Sequence, residues 1–410
     1  MRIAFVDLLF SWPPHGGADV DLYHVIAGLQ AAGHEVRLFG ASDPSIWERG
    51  AFEPDALPFP AERLDFQGSG FNRVSVASRL REAVDAWGPE AVFVGDGFFL
   101  KPYVIMALSH YPIAARYFAY EVDCHRDILR FKSGAPCPNR YLETPELCRR
   151  CALDHLASQI KRRHHRAWTQ EYLAAHAFAP DYFRVLNDSL KLLRAAVVYN
   201  ALMRQHVQHR CPQVFIVPGG VDTGAFAYTP APEHSNGNKK VILMTGRAED
   251  PAKGLSVLLE AGERLAQVRD DFEIQATAPL DMPARAWFRP LGWRDHEETV
   301  ALYQEADVCV IPSVWDEPFG LVALEAMSSG RPVCASRVGG LRGIVDEDEN
   351  GFLFERGDSA ELAGHLTRLL DDGALRQRMG KAGRDRAVDQ YSWKQIVARH
   401  YPQVLAALRE

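Results

Sequence analysis

Short apolar, β-branched runs alternate along this chain with segments whose apolar residues recur every three or four positions, which predicts strands separated by amphipathic helices. The chain opens with a strand, Arg2-Ile3-Ala4-Phe5-Val6, followed by a loop, Asp7 to Gly17. Ala18 to Ala32 then carries Val20, Val25, Ile26 and Leu29 at helical spacing, Gly33 ends that helix, and Glu35 to Phe39 reads as the next strand, closing one βαβ unit. Ala41 to Arg73 is rich in Pro, Gly and charge and is expected to be a surface connection. Beyond it the pattern gives a helix over Val76 to Trp87, strands at Ala91 to Val94 and Ile113 to Phe118, a mostly helical stretch from Leu153 to Leu193, and strands at Ala195 to Tyr199 and Val214 to Val217. Thr229 to Lys239, rich in Pro, Asn and Gly, reads as a hinge. A second series follows: strand Lys240 to Thr245, helix Leu255 to Gln267, strand Phe272 to Ala276, strand Val308 to Ile311, helix Leu321 to Ser329, a turn plus strand over Asn350 to Phe354 and helix Ser359 to Leu370. Trp393 to Leu408 is amphipathic. Strands alternating with helices in this way predict an α/β protein with two doubly wound parallel sheets.

The most informative stretch runs from Val308 to Gly340. Its β-branched run stops at Pro312-Ser313, as a buried parallel strand does at its C-terminal edge, where open α/β sheets place ligands. Pro318 and Gly320 break the chain before a new helix, whose first amides point back towards the loop and suit an anion. Glu317 lies in that loop and Glu325 eight residues on, so two carboxylates bracket the anion site, where sugar hydroxyls are the natural neutral partners. Taken alone, the pair also fits one acid favouring a helix dipole and a second on a solvated face.

Glu317 to Glu325 resembles the E-x7-E signature of retaining glycosyltransferases of family 4, and other segments in the right order resemble that family too. These are His15-Gly16-Gly17-Ala18 with Gly33-His34-Glu35-Val36, Pro218-Gly219-Gly220-Val221-Asp222, and Gly246-Arg247 through Lys253-Gly254. The resemblance implies the GT-B fold, two Rossmann-like doubly wound domains facing a central cleft: an N-terminal acceptor-side domain over 1–225 with a Cys-rich, helical insertion at about 120–190, a nucleotide-sugar domain over 226–390, and a C-terminal helix, 391–410, crossing back. It further implies hexosyl transfer from a nucleoside-diphosphate sugar to a glycan, lipid-linked or small-molecule acceptor. Arg247 and Lys253 would stabilise the leaving diphosphate, with no cofactor required for catalysis, and Glu317 would hold donor-sugar hydroxyls. Glu325 would hold the ribose. The donor would also meet Gly16, Gly17, Trp293, Arg294, Phe319, Gly320, Leu321, Val322, Gly340 and Leu341, although Trp293 equally fits a surface aromatic. Gly340 and Leu341 belong to a turn expected to offer amides to the phosphates, and Arg342 follows where relatives usually carry Glu. Many relatives carry, in the loop after the strand that Ile113 to Phe118 represents here, a histidine that contacts the donor sugar. Here Tyr120, Glu121 and His125 are the candidates, at a different spacing.

Cys124, Cys137, Cys148 and Cys151, the last two as C-x-x-C, fall within a loop-rich segment and suit a structural zinc clamp, unligated thiols or disulfides. The basic run Lys161-Arg162-Arg163-His164-His165-Arg166 reads as a solvated face or as a contact for an anionic or lipid surface. With 410 residues the chain exceeds one core, and its 47% hydrophobic and 24% charged residues are those of a globular enzyme. The net charge of -7 argues against nucleic acid as partner. No run approaches the ~20 apolar residues of a membrane span, and Asp7 with Trp12-Pro13-Pro14 interrupts any signal-peptide core. The expected location is the cytoplasm, with peripheral membrane contact as an option. Two rival readings share the architecture: a GT-B nucleotide-sugar epimerase or phosphorylase, and a catalytically inactive nucleotide-sugar-binding protein.

Overall fold

The computed structural model describes residues 1–43, 50–162, 176, 178–232, 239–283 and 285–410. They divide into two compact units, one of residues 1–130, 137–218 and 396–410, the other of residues 131–136 and 219–395.

The strands are β1 (Arg2–Asp7), β2 (Glu35–Ser42), β3 (Ala61–Asp65), β4 (Ala91–Val94), β5 (Ile113–Arg116), β6 (Phe131–Lys132), β7 (Ala135–Pro136), β8 (Ala195–Val198) and β9 (Val214–Ile216). Those of the second series are β10 (Lys240–Met244), β11 (Phe272–Ala276), β12 (Phe288–Pro290), β13 (Val308–Ile311), β14 (Val333–Ser336) and β15 (Gly351–Phe354). The first unit is built on a seven-stranded sheet ordered β3-β2-β1-β4-β5-β8-β9, all in parallel. Every residue of β4, β5 and β8 is buried, because helices cover both faces, and this is why those strands read as unbroken apolar runs. β3 is the exception to the expected surface connection. It pairs with β2 from Leu38 against Ala61 to Ser42 against Asp65, but as an outer strand it buries little, so Ala-Glu-Arg-Leu-Asp carries no apolar signature. A buried ion pair ties the helix Gly17–Ala31 to the far side of this sheet: Arg116 donates to Asp21 Oδ2 at 2.8 Å and to the Val217 carbonyl at 2.8 Å, and the Tyr199 hydroxyl donates to the same Asp21 oxygen at 3.1 Å. The last helix, Trp393–Ala407, brings Tyr401 within 6.2 Å of Phe93 in β4.

The second unit carries a six-stranded parallel sheet ordered β12-β11-β10-β13-β14-β15. Its core gathers Ile242, Leu258, Ile274, Val308, Val310 and Phe352. Strand order reverses between β10 and β13, which makes the loops leaving their C-terminal ends the place where such a sheet binds ligands. A helix over Gly373–Tyr391 was not expected from the sequence. Its buried face includes Gly380, Gly383 and Ala387 among charged residues, so the close packing leaves no apolar stripe to read.

Candidate active site

The loops leaving β10 and β13 are laced together. After β10 the chain turns tightly: the Asp250 amide donates to Arg247 O, the Lys253 amide to Asp250 O, and Asp250 Oδ1 accepts from the Ala252 amide at 3.0 Å. Gly254 ends the turn at φ +77°, and a Cβ there would sit 1.9 Å from the Pro312 carbonyl oxygen, so only glycine permits this approach. The Val314 amide donates to Ala252 O at 2.9 Å, fixing one loop against the other.

That lacing sets Lys253 beside Glu317. The ammonium donates to Glu317 Oε1 at 2.8 Å and reaches Oε2 at 3.2 Å. Oε2 also accepts from the Trp315 indole at 2.5 Å and from the Ser313 hydroxyl at 3.0 Å. The Trp315 ring lies under the same ammonium at 5.1 Å. A carboxylate has about four acceptor positions, so Oε2 is saturated and Oε1 keeps room for one further donor. Arg247 stays half exposed, 4.0 Å from Asp250. Gly320, at φ +128°, starts the helix Leu321–Ser328, and its missing side chain admits Leu341, whose Cδ2 would lie 2.5 Å from a Cβ. Leu321 and Val322 then present first-turn amides that have no acceptor inside the helix.

Glu325 follows one turn later. Burial pushes its pKa up to about 7, opposed by a hydrogen bond from the Tyr303 hydroxyl to Oε2 at 3.0 Å. The same hydroxyl lies 2.6 Å from Thr245 Oγ1, at the end of β10, and 3.3 Å from Val322 O. Trp293 is 65% exposed, next to Gly292, over which exposed Leu280 packs. Arg294, just ahead of the helix His296–Glu305, is paired with Glu298 of that helix at 2.7 Å. Sequence reasoning therefore named Arg247, Lys253, Glu317, Gly320 and Glu325, which the second unit places on the loops leaving β10 and β13 and on the helix that follows the second loop. It missed Ser313, Trp315, Thr245 and Tyr303. Ser313 and Trp315 stand within four residues of Glu317 and were open to notice as donors, whereas Tyr303 lies 22 residues before Glu325 and leaves no local signal.

Several expectations need correcting. The Gly340 and Leu341 amides do not face outward as phosphate donors: they donate to Glu317 O at 2.8 Å and Val338 O at 3.1 Å, so this turn braces the Glu317 loop. In the first unit, the Gly16 amide donates to Asp19 Oδ2, a side chain of the helix it precedes. The acceptor-side candidates are all buried. His125 is 1% exposed and stacks on Phe178 and Tyr182, Tyr120 is 2% exposed, and Glu121 is 6% exposed with its carboxylate on Lys101 at 2.8 Å. Hydrogen bonds from the Asp123 and Cys124 amides to Tyr120 O curl this segment inward, a turn the sequence does not announce. Among the described residues no group of three or more His, Cys, Asp or Glu side chains is placed to hold a metal ion, so the zinc clamp at Cys124, Cys137, Cys148 and Cys151 is not assembled. The thiols take neighbours in their own turns instead: Cys124 accepts from the Asp127 amide at 3.5 Å, and Cys148 lies 3.5 Å from Thr144 Oγ1. Burial pushes the Cys124 thiol up to about 12. The basic run at 161–166 lies outside the described residues or their side chains. Among the described residues no helix is long and apolar enough to cross a membrane.

Residues 16–111 match the family described as Glycosyl transferase 4-like domain, and residues 286–386 match Glycosyl transferases group 1. Glycogen synthase of Mycobacterium tuberculosis is 40% identical over 443 aligned positions, covering 100% of this chain and 95% of that protein. The MMP alpha-(1->4)-mannosyltransferase of Mycolicibacterium hassiacum is 38% identical over 46% of this chain and 47% of its own length. The phosphatidyl-myo-inositol mannosyltransferase of Mycobacterium leprae is 33% identical over 45% and 51%. The match thus spans about half the length of these two mannosyltransferases. The chain belongs to glycosyltransferase family 4, glycosyl transferases group 1. Solved structures of the same GT-B fold include sucrose-phosphate synthase of Thermosynechococcus elongatus, with TM-score 0.69, 20% identity and coverage of 99% of this chain and 100% of that one. Anabaena Alr3699/HepE, solved in complex with UDP, gives TM-score 0.69 and 17% identity over 99% and 100%.

Proposed function

We propose that this protein transfers a hexosyl group from a nucleoside-diphosphate sugar to an acceptor hydroxyl with retention of anomeric configuration. The observation that carries the reading is the junction of the β10 and β13 loops, where Lys253, Arg247 and the first amides of the helix Leu321–Ser328 supply positive potential beside Glu317. Positive groups held in place before reaction stabilise the charge that develops on a departing diphosphate. Glu317 Oε1 accepts one hydroxyl of the donor sugar while keeping its bond to Lys253, and Glu325 accepts the ribose hydroxyls. The leaving phosphate assists deprotonation of the acceptor. Relatives named for mannosyl transfer and as glycogen synthase support a hexosyl donor and a carbohydrate or lipid-linked acceptor. A neighbour solved with UDP-glucose supports a nucleoside-diphosphate carrier. A thermal-shift screen over UDP, GDP, ADP and their sugars tests the reading, because a ligand bound only to the folded state raises the melting temperature. One nucleoside diphosphate and its sugar are expected to stabilise the protein, and that sugar to be consumed in the presence of chelator. No shift with any of them would overturn the proposal.

A further inference from the structure

Glu325 meets the ribose, on the reading above, with a carboxylate whose orientation rests on a hydroxyl from another helix. Tyr303, on the helix His296–Glu305, is 1% exposed, and its oxygen has three neighbours: Thr245 Oγ1 at 2.6 Å, Glu325 Oε2 at 3.0 Å and Val322 O at 3.3 Å. A phenol has one proton to donate. Thr245 has one as well, and when it donates to the Tyr303 oxygen, the Tyr303 proton is left to choose between Glu325 and the Val322 carbonyl. An ionised carboxylate is the stronger acceptor, so the ordered state is Thr245 to Tyr303 to Glu325. This leaves Oε1 and the outer side of Oε2 for a ligand. When Glu325 is protonated the Tyr303 proton turns to Val322 O instead, and the carboxyl oxygen meant for the ribose is no longer a full acceptor.

We propose that Tyr303, backed by Thr245, is a positioning residue that holds Glu325 in the orientation and ionisation state that recognises the vicinal hydroxyls of a nucleotide ribose. The inference rests on the assignment of Glu325 to the ribose, and it deepens that assignment by locating ribose selection in a three-residue relay joining the end of β10 to two helices. The relay explains why a side chain with no ligand contact of its own is buried with its hydroxyl directed at the site. It also predicts that selection between ribose and deoxyribose depends on a residue that only the fold brings near.

The test uses the full chain and the one of UDP, GDP and ADP that binds best, together with its 2′,3′-dideoxy analogue, by calorimetry at about pH 8. Tyr303→Phe removes the hydroxyl and keeps the ring, and is expected to weaken the parent nucleotide about tenfold, as loss of one hydrogen bond to a charged group does, with less than about a twofold change for the dideoxy analogue. The pH midpoint for binding of the parent moves upward in this variant. Among the described residues, the titratable groups facing Glu325 are Tyr303 and, from β13, Cys309; burial raises both, the thiol to about 12, so neither contributes a competing step near neutrality. Thr245→Val moves both readouts in the same direction by a smaller factor and provides the answer should Tyr303→Phe not fold. Equal weakening of parent and dideoxy ligands, or an unmoved midpoint, would mean Tyr303 is only structural and overturn the inference. Equal affinity of the wild type for the two ligands would overturn the ribose assignment of Glu325 itself, and the relay with it.

Discussion

Glu317 accepts hydrogen bonds from three different side chains, and this crowding decides what it can do for a donor. Its loop offers Trp315 as a rigid donor whose ring also lies under the Lys253 ammonium. Trp315→Phe keeps an aromatic ring at this position but removes the indole N–H and the volume of the second ring. It is expected to raise the barrier to kcat by about 1.5–3 kcal/mol, with little change in KM, because a hydrogen bond to a charged group is lost; steady-state kinetics on the preferred donor checks this, and an unchanged kcat would remove Trp315 from the account. Glu325 gives a pH prediction. Its folded pKa, about 7, lies above the ordinary carboxylate value, so its contribution to stability is complete below the unfolded pKa and is lost as pH rises through 7. Ligand binding runs the other way under the proposed ribose contact, which needs the ionised acceptor: nucleotide affinity is expected to rise about tenfold between pH 6 and pH 8 and to level off above. Titrations at several pH values check it, and Glu325→Gln is expected to flatten the profile. These residues were partly legible: the glutamates and cations announce themselves by spacing, whereas the indole, the two hydroxyls and Tyr303 matter only through their fixed directions in the fold.

At the scale of elements, most parallel strands were legible because burial on both faces writes itself as apolar runs, as in β4 and β8, although the equally buried β14 was not read. Elements that bury little or pack through small residues were not, as β3 and the helix Gly373–Tyr391 show. Nor was the inward turn after β5, which hides Tyr120, Glu121 and His125, because the same polar residues would suit an exposed loop. The buried Arg116–Asp21 pair was equally silent in the sequence, although it fastens the first long helix to the far strands of its sheet. Asp21→Ala leaves Arg116 buried without its carboxylate and is expected to cost about 3–5 kcal/mol of stability, as breaking one half of a buried pair does. Chemical denaturation checks this, and a change below about 1 kcal/mol would show that the guanidinium finds other acceptors.

For the whole molecule, two parallel sheets recur in one chain, and the loops at the strand reversal of the second carry the charged cluster. Fold class and family membership were legible because both halves repeat the strand–helix alternation and because glycine and acid spacings mark the loops between them. The cysteine segment misled because thiols close in sequence need not be set in the geometry that a metal ion requires. The most direct measurement is single-turnover consumption of the preferred nucleoside-diphosphate sugar by wild type and by Lys253→Ala, both verified as folded. The account predicts a barrier raised by about 2–4 kcal/mol in the variant, the loss expected on removing one preorganised group that stabilises the leaving diphosphate. An unchanged rate would contradict it.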